Sequence, residues 1–286
     1  MRASVWFAFS ALVVTPSAAL PQQPLTARDV VERIKQNIGV PWTEPTVDTF
    51  KDGDSTARVT GIAVTMMATF DVLKRAAARG ANLVITHEPT FFDHFDKLDV
   101  LEAEHDSVTA AKRAFIREHR MVVVRMHDHW HRRRPEPMAT DLAHALGWDR
   151  YRGENEFVYR VPVTTLAQLA ATIRQRLPAP TIRVVGDSSL TVSKIVLVPG
   201  AAGFDRHRQA LRQDIDVLVI GEAREWETVE YVADAITAGQ KKALIILGHI
   251  PSEQDGMEDF TRWLRTFVKE VPVTFVPAAD PFWAPR

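Results

Sequence analysis

Short, unbroken apolar runs recur along the chain beside amphipathic helical stretches, and this pattern restricts the fold more than any other feature. Residues 83–86, 121–126, 194–198, 217–220, 243–247 and 273–276 read as strands, preceded by a further one at 59–64. Several of them are apolar at almost every position, which suits parallel strands covered on both faces rather than one-sided antiparallel strands. Helices are predicted over 26–38, 70–78, 103–119, 139–146, 205–212, 225–238 and 257–269. Gly39, Gly80, Gly147 and Gly239 lie just past the ends of four of them. Residues 149–193 are less regular, with a strand at 157–163 and a helix at 165–176, and read as a connecting or edge element. The resulting division is an N-terminal α/β lobe over 25–148, the connecting segment 149–193, and a C-terminal α/β lobe over 194–286. Both lobes repeat strand, helix, strand, which predicts two similar α/β lobes with mixed sheets.

The N-terminus has a different character. Arg2 precedes an apolar run from Val5 to Val14, and Thr15-Pro16-Ser17-Ala18-Ala19 supplies small residues where a signal peptidase cuts, so residues 1–19 are expected to be a signal peptide. The run is shorter than the ~20 residues needed to cross a bilayer. The expectation is an exported, periplasmic or secreted protein with no stable membrane insertion after cleavage. The chain has 35 basic and 36 acidic residues; without Arg2 the balance is 34 against 36, a net charge of −2. That balance argues against nucleic acid as a partner. No cysteine is present, so disulfides, thiolate metal sites and a catalytic thiol are excluded, and any metal must be held by His, Asp or Glu.

Three of the apolar strands run directly into histidines: His87-Glu88-Pro89, His127-Asp128-His129-Trp130-His131 and His249-Ile250-Pro251-Ser252-Glu253. Ligands of open α/β sheets bind beyond the carboxyl ends of the strands, so these tips are expected to converge in a central metal-binding cleft. Imidazole mixed with carboxylate suits Zn, Mn, Fe or Ni rather than Ca or Mg, and this number of donors is easier to account for with two divalent ions than with one. Each piece also has a plainer explanation. A lone His87 is more often a hydrogen-bonded loop histidine than a ligand. A helix cap at Ser252 with an acidic first turn explains Glu253 without a metal. The 127–131 segment resists this, because three imidazoles and a carboxylate within five residues have no evident structural purpose.

The stretches Ile85-Thr86-His87-Glu88-Pro89-Thr90-Phe91-Phe92, Gly221-Glu222-Ala223-Arg224-Glu225-Trp226 and Gly248-His249-Ile250-Pro251-Ser252-Glu253 resemble the signature segments of the YbgI-like, or Nif-three-like, family of dinuclear metal centre proteins, also described as type-two GTP cyclohydrolase-like. The resemblance runs from about residue 27 to 276. It implies two similar lobes around a metal pair and a homo-oligomer, commonly a hexamer. Carried onto this chain, the family's paired histidines fall on His87 and Glu88, its middle His-x-x-x-Asp on His127 and His131, and its closing His-x-x-x-Glu on His249 and Glu253. Glu88 therefore replaces a histidine and His131 an aspartate. Asp128 is the alternative to His131 at the middle position, and the sequence does not choose between them. Trp226, where many relatives have another histidine, walls the cleft or joins the core, the core being the safer expectation.

These residues point to a metal-dependent hydrolase using a metal-activated water on a small, anionic substrate, with Glu88 or Glu222 as catalytic acid or base. The alternative is a non-catalytic metal-binding or assembly protein. Two weaker features accompany the site. Pro199-Gly200-Ala201-Ala202-Gly203 opens a helix and is either an anion cradle or merely a tight turn. Arg132-Arg133-Arg134 is either an anion clamp or a solvated charge run. No Gly-x-Ser-x-Gly elbow is present, which disfavours a serine esterase.

Overall fold

The computed structural model describes residues 24–285, which fold around two five-stranded mixed sheets. The first sheet has the order β1 (Phe50–Asp52), β4 (Val122–Arg125), β3 (Leu83–Thr86), β2 (Ile62–Thr65), β10 (Val273–Phe275). Its members β10, β2, β3 and β4 are parallel, and β1 closes one edge antiparallel to β4. The second sheet has the order β5 (Val158–Thr165), β7 (Thr191–Val198), β8 (Val217–Ile220), β9 (Ala243–Ile246), β6 (Arg183–Val185). Here β7, β8 and β9 are parallel, with β5 and β6 antiparallel at the edges. Every residue of β2, β3, β4, β8 and β9 is buried, as the unbroken apolar runs require. The edge strands β1, β5, β6 and β10 and the first half of β7 carry the exposed and half-buried positions.

Helices α1 (Ala27–Asn37), α2 (Phe70–Ala78), α3 (Asp99–Ala103), α4 (Ser107–Glu118), α5 (Asp128–His131), α6 (Pro137–Ala145), α7 (Leu166–Arg176), α8 (Phe204–Leu211), α9 (Glu230–Thr237) and α10 (His249–Leu264) cover the sheets and link the lobes. Local chemistry sets their starts. Thr26 and Asp29 form a reciprocal capping box at α1. Asp106 caps α4 by accepting from the Thr109 backbone N–H, so the helix expected over 103–119 begins at Ser107 instead, and the short α3 before it ends at Ala103, with His105 at φ 52° between them. The largest shift is in α10, which begins at His249 rather than at residue 257. Pro251 sits in its first turn, where no backbone N–H is needed, and Gly256 lies against Met138, so neither breaks the helix. One consequence is that His249 and Glu253 share one helical face at i, i+4.

Residues 149–193 supply β5, α7 and β6, the two strands being the edges of the second sheet. One feature of the organisation differs from the sequence reading. The final strand, β10, returns to pair with β2 in the first sheet, so the C-terminal segment is shared between the lobes. The expected signal peptide lies outside the described residues. No described helix is long and apolar enough to cross a membrane.

Candidate metal centre

The strand register brings the histidine tips together. Thr86 at the end of β3 pairs with Thr65 and with Arg125, the last residues of β2 and β4. His87-Glu88 and Met126-His127 therefore leave the first sheet side by side, with His87 N–H donating to Thr65 O at 3.1 Å and Glu88 N–H to Met66 O at 2.9 Å. In the second sheet Ile220 pairs with Ile246, so Glu222 and His249 emerge together, and Gly248 N–H donates to Gly221 O at 2.9 Å. One turn of α5 adds His131 to His127, and one turn of α10 adds Glu253 to His249.

Six side chains meet at the centre: His87, Glu88, His127, His131, His249 and Glu253. Three imidazoles share one arrangement, with Nδ1 bonded outward and Nε2 facing in, and His249 turns Nδ1 toward Glu222. His87 Nδ1 donates to Met126 O at 3.1 Å, His127 Nδ1 to Asp128 Oδ1 at 3.0 Å, and His131 Nδ1 to Glu136 Oε1 at 2.8 Å; His249 Nδ1 lies 3.5 Å from Glu222 Oε2. With the proton fixed on Nδ1, each Nε2 offers a lone pair, the tautomer that metal-binding histidines adopt when an outer carboxylate or carbonyl orients them. The inner atoms crowd. His87 Nε2 is 3.1 Å from His131 Nε2 and 3.7 Å from Glu253 Oε2, and His249 Nε2 is 3.0 Å from Glu253 Oε2 and 3.4 Å from Glu88 Oε1. Lone pairs and carboxylate oxygens this close repel unless a proton or a metal ion lies among them, and N···N spacing of about 3.3 Å is what tetrahedral Zn–N bonds of ~2.0–2.1 Å produce. The donors form two triads sharing His87: His87, His127 and His131, and His87, Glu88 and Glu253. Within each, one ligand atom per residue lies within 4.8 Å of the others.

The electrostatics follow from burial and from this crowding. Burial, reinforced by His127 and His131, holds His87 well below the usual histidine pKa, so its ring is neutral and free to ligate. Burial would also lower His249, but its bonds to Glu222, Glu253 and Glu88 outweigh it and raise the value well above normal. These carboxylates favour a positive charge at the His249 ring, whether a proton or a metal ion at Nε2. Burial alone would raise Glu88, yet its hydrogen bond with His249 and the neighbouring imidazoles keep it well below the usual carboxylate range. Its other oxygen, Oε2, lies 3.3 Å from Nη2 of the fully buried Arg125. Arg125 also donates through Nε to His87 O at 2.9 Å and through Nη1 to His94 O.

The sequence-derived candidates separate at this point. Asp128 does not point into the cluster: Oδ2 accepts from Thr46 Oγ1 at 2.9 Å and Val47 N at 3.2 Å, while Oδ1 orients His127. His131, not Asp128, faces His87. The third histidine of the segment has a structural purpose after all. His129 is buried, its Nδ1 2.6 Å from Asp48 Oδ2, its Nε2 accepting from Thr43 N at 3.1 Å, and its ring stacked on Trp42 at 3.7 Å. Glu222 sits at the edge, its side chain 54% exposed. Trp226 is not in the core; it is 73% exposed. The arginine run is engaged elsewhere: Arg132 with Thr43, Arg133 over Trp130 and Trp263, Arg134 with the His131 and Arg133 carbonyls. The Pro199–Gly203 turn supports the cluster rather than opening onto an anion. Gly200 N–H donates to Ser252 Oγ at 3.0 Å, and a Cβ on Gly200 would lie 2.3 Å from Glu253 Oε1.

Two supporting residues were not foreseen. Asp48 accepts from the backbone N–H groups of His127, Asp128 and His129, capping the turn that carries the histidines. Glu136 caps α6 through Met138 N and Ala139 N while accepting from His131. The dipeptide Glu136-Pro137, an acceptor followed by proline at the first helical position, is the signal that could have revealed it. Asp48 has no such local signal, because its partners lie 79 to 81 residues away.

Residues 46–281 match the model of the family described as Duf34/NIF3 (NGG1p interacting factor 3). Among solved structures, a hypothetical protein of Staphylococcus aureus superposes with a TM-score of 0.69 at 19% identity, covering 92% of this chain and 100% of that one. A Bacillus cereus protein related to NIF3 gives 0.70 at 14% identity, covering 91% and 99%. The reduced form of HcgD from Methanocaldococcus jannaschii gives 0.64 at 14%, covering 88% and 98%. At these identities the likeness is one of fold. A search of curated proteins gives no match. With a family match spanning most of its length and a cluster of histidines and glutamates fit to hold metal where its two lobes meet, this chain belongs to the Duf34/NIF3 family.

Proposed function

We propose that the protein is a metal-dependent hydrolase that holds two divalent ions, of Zn, Mn, Fe or Ni, through His87, Glu88, His127, His131, His249 and Glu253. One observation carries this reading: four imidazoles, three with Nδ1 bonded outward and the fourth with Nδ1 toward Glu222, present Nε2 to a shared space already bordered by two carboxylates. Two donor triads that share His87 support a pair of ions rather than one. Such ions supply Lewis acidity and lower the pKa of water. The chain's own residues do the rest. Glu222, half-exposed and 3.5 Å from His249 Nδ1, is placed to carry protons between the centre and a cavity of about 1400 Å³ that it lines with His249. Arg125 fixes Glu88 so that Oε1 faces inward, which makes Glu88 a ligand rather than the acid or base. Asp128 and Glu136 hold the His127 and His131 rings.

The test is purified protein loaded with Mn or Zn and screened against phosphodiester, nucleotide, amide and glycoside panels. Turnover lost in Glu222→Gln with metal content unchanged supports the hydrolase. Silence on every panel with metal bound favours the non-catalytic metal-binding alternative. Export and self-association belong to the same reading. Exposed Phe92, Phe95 and Val100, the last on α3, which buries none of its residues, support a homo-oligomer built through that face, a hexamer by the family resemblance. Sedimentation of wild type against Phe95→Glu checks it.

A further inference from the structure

The cavity beside Glu222 and His249 has a rim that the metal chemistry does not use. Trp226, Phe282 and Trp283 are 73%, 66% and 77% exposed, and Tyr231 is 36% exposed. Phe282 and Trp283 line the cavity directly. The other two are tied to its wall: Tyr231 packs edge-on against Phe204 at 5.5 Å, and Arg224 lies over the Trp226 ring at 5.9 Å. Trp226 stands on a π-helical turn, Glu225–Val229, a local departure from α-helix that recurs at functional sites. Large aromatic side chains left in water around a cavity mouth indicate a ligand surface.

The polar residues of the cavity wall, with Glu225 paired to one of them, define the ligand chemistry. Arg183 pairs with Glu225 at 2.6 Å and Arg224 with Glu227 at 3.2 Å, so donors and acceptors alternate side by side. The lining carries Arg174, Arg183 and Arg224 against Asp205, Glu222, Glu227 and Asp280, close to electrical balance. A polyphosphate chain would need an excess of cations, which the lining lacks. A peptide would need side-chain pockets, and these rings are flat and exposed. Paired guanidinium and carboxylate groups match neighbouring hydroxyls, each of which donates and accepts. The electron-rich face of Trp or Phe accepts the C–H face of a sugar ring. The volume, about 1400 Å³, exceeds the ~300–1000 Å³ of a pocket for one small molecule and accommodates several linked rings.

We propose that this cavity binds a neutral oligosaccharide, its rings stacked on Trp226 and Trp283 and its hydroxyls held by the Arg183–Glu225 and Arg224–Glu227 pairs. The proposal rests on the hydrolase reading, because Glu222 and His249 line the same cavity, and it puts a neutral ligand in place of the small anionic substrate expected from sequence. The full-length mature protein is titrated with cellotetraose and with chitotetraose, with oligothymidylate and tetra-alanine as comparison probes, following tryptophan emission and heat. The expected result is saturable binding of at least one of the two sugars, weakened about ten-fold or more by Trp226→Ala and by Trp283→Ala with the metal content of both variants unchanged. Indifference to both sugars overturns the proposal, as does preference for the oligonucleotide or the peptide. So does an oligomer that dissociates in the same tryptophan variants, which would make the rim a contact between copies. His87→Ala separates the two claims: it lowers metal content while leaving sugar affinity in place. Sugar binding by a protein that holds no metal would refute the hydrolase reading alone.

Discussion

Gly200→Ala isolates the contact on which Glu253 depends. Gly200 has φ +69°, where an L-residue costs about 1–3 kcal/mol, and its Cβ would meet Glu253 Oε1 at 2.3 Å and Oε2 at 2.9 Å. An ordinary C···O contact is about 3.3 Å, so the carboxylate must retreat by about 1 Å. Metal–ligand distances tolerate only about 0.2 Å, and disturbing a ligand's support typically costs 10- to 100-fold in metal affinity, about 1.4–2.7 kcal/mol. Gly203→Ala is the matched control, since Gly203 has φ +82° with nothing within 4 Å of the added Cβ. Both variants are expected to lower Tm by about 2–8 °C from backbone strain. Only Gly200→Ala is expected to weaken Zn or Mn binding in a calorimetric titration. Equal metal affinity in the two variants would refute the placement of Glu253 in the centre.

Glu136→Ala removes both the α6 cap and the acceptor that orients His131, so about 0.5–2 kcal/mol of stability and 10- to 100-fold in metal affinity should be lost together; chemical denaturation and metal titration read the two effects separately. Glu88→Ala leaves the buried Arg125 charge without its carboxylate and should cost about 3–5 kcal/mol in denaturant unfolding, partly recovered in the Glu88→Ala, Arg125→Met double variant, which still leaves the His87 and His94 carbonyls without their donor; no recovery would mean that the pair is not the reason. His207 is buried, with Nε2 unpartnered among the described residues, and burial pushes its pKa from 6.5 down to about 4. Because the unfolded chain takes up this proton first, stability should fall as pH drops from about 6.5 to about 4. The loss reaches roughly 3 kcal/mol, absent from His207→Gln, as unfolding at pH 7 and pH 4.5 would show.

How far the molecule can be read from its sequence depends on the range of the interactions. Parallel strands declare themselves because burial on both faces forces apolar runs: β3 and β8 begin and end where the runs do. The histidine tips are legible for the same reason, since a polar residue after such a run marks a strand end. The first eight residues of α10 are not legible in sequence, since Gly256 and Pro251 lower local helix propensity, whereas packing against Met138 and a first-turn proline make both acceptable. Asp48, Arg125 and the outward role of His129 come from partners distant in sequence, which no local pattern encodes. Asp128 and His131 are alike to a sequence reading; the turn of α5 decides between them by directing one at Thr46 and the other at His87. The three-residue β6 is too short to show a period, and it is defined by pairing with β9.

The central claim is that the tips after β3, β4 and β9 form one metal centre. Elemental analysis of the purified protein against a His87→Ala, His249→Ala double variant tests it most directly, with circular dichroism confirming that both are folded. Close to two divalent ions per chain in the wild type, with neither kept by the folded variant, is the expected result. A wild type that takes up no metal under loading, or a double variant that keeps its full complement, would contradict the account.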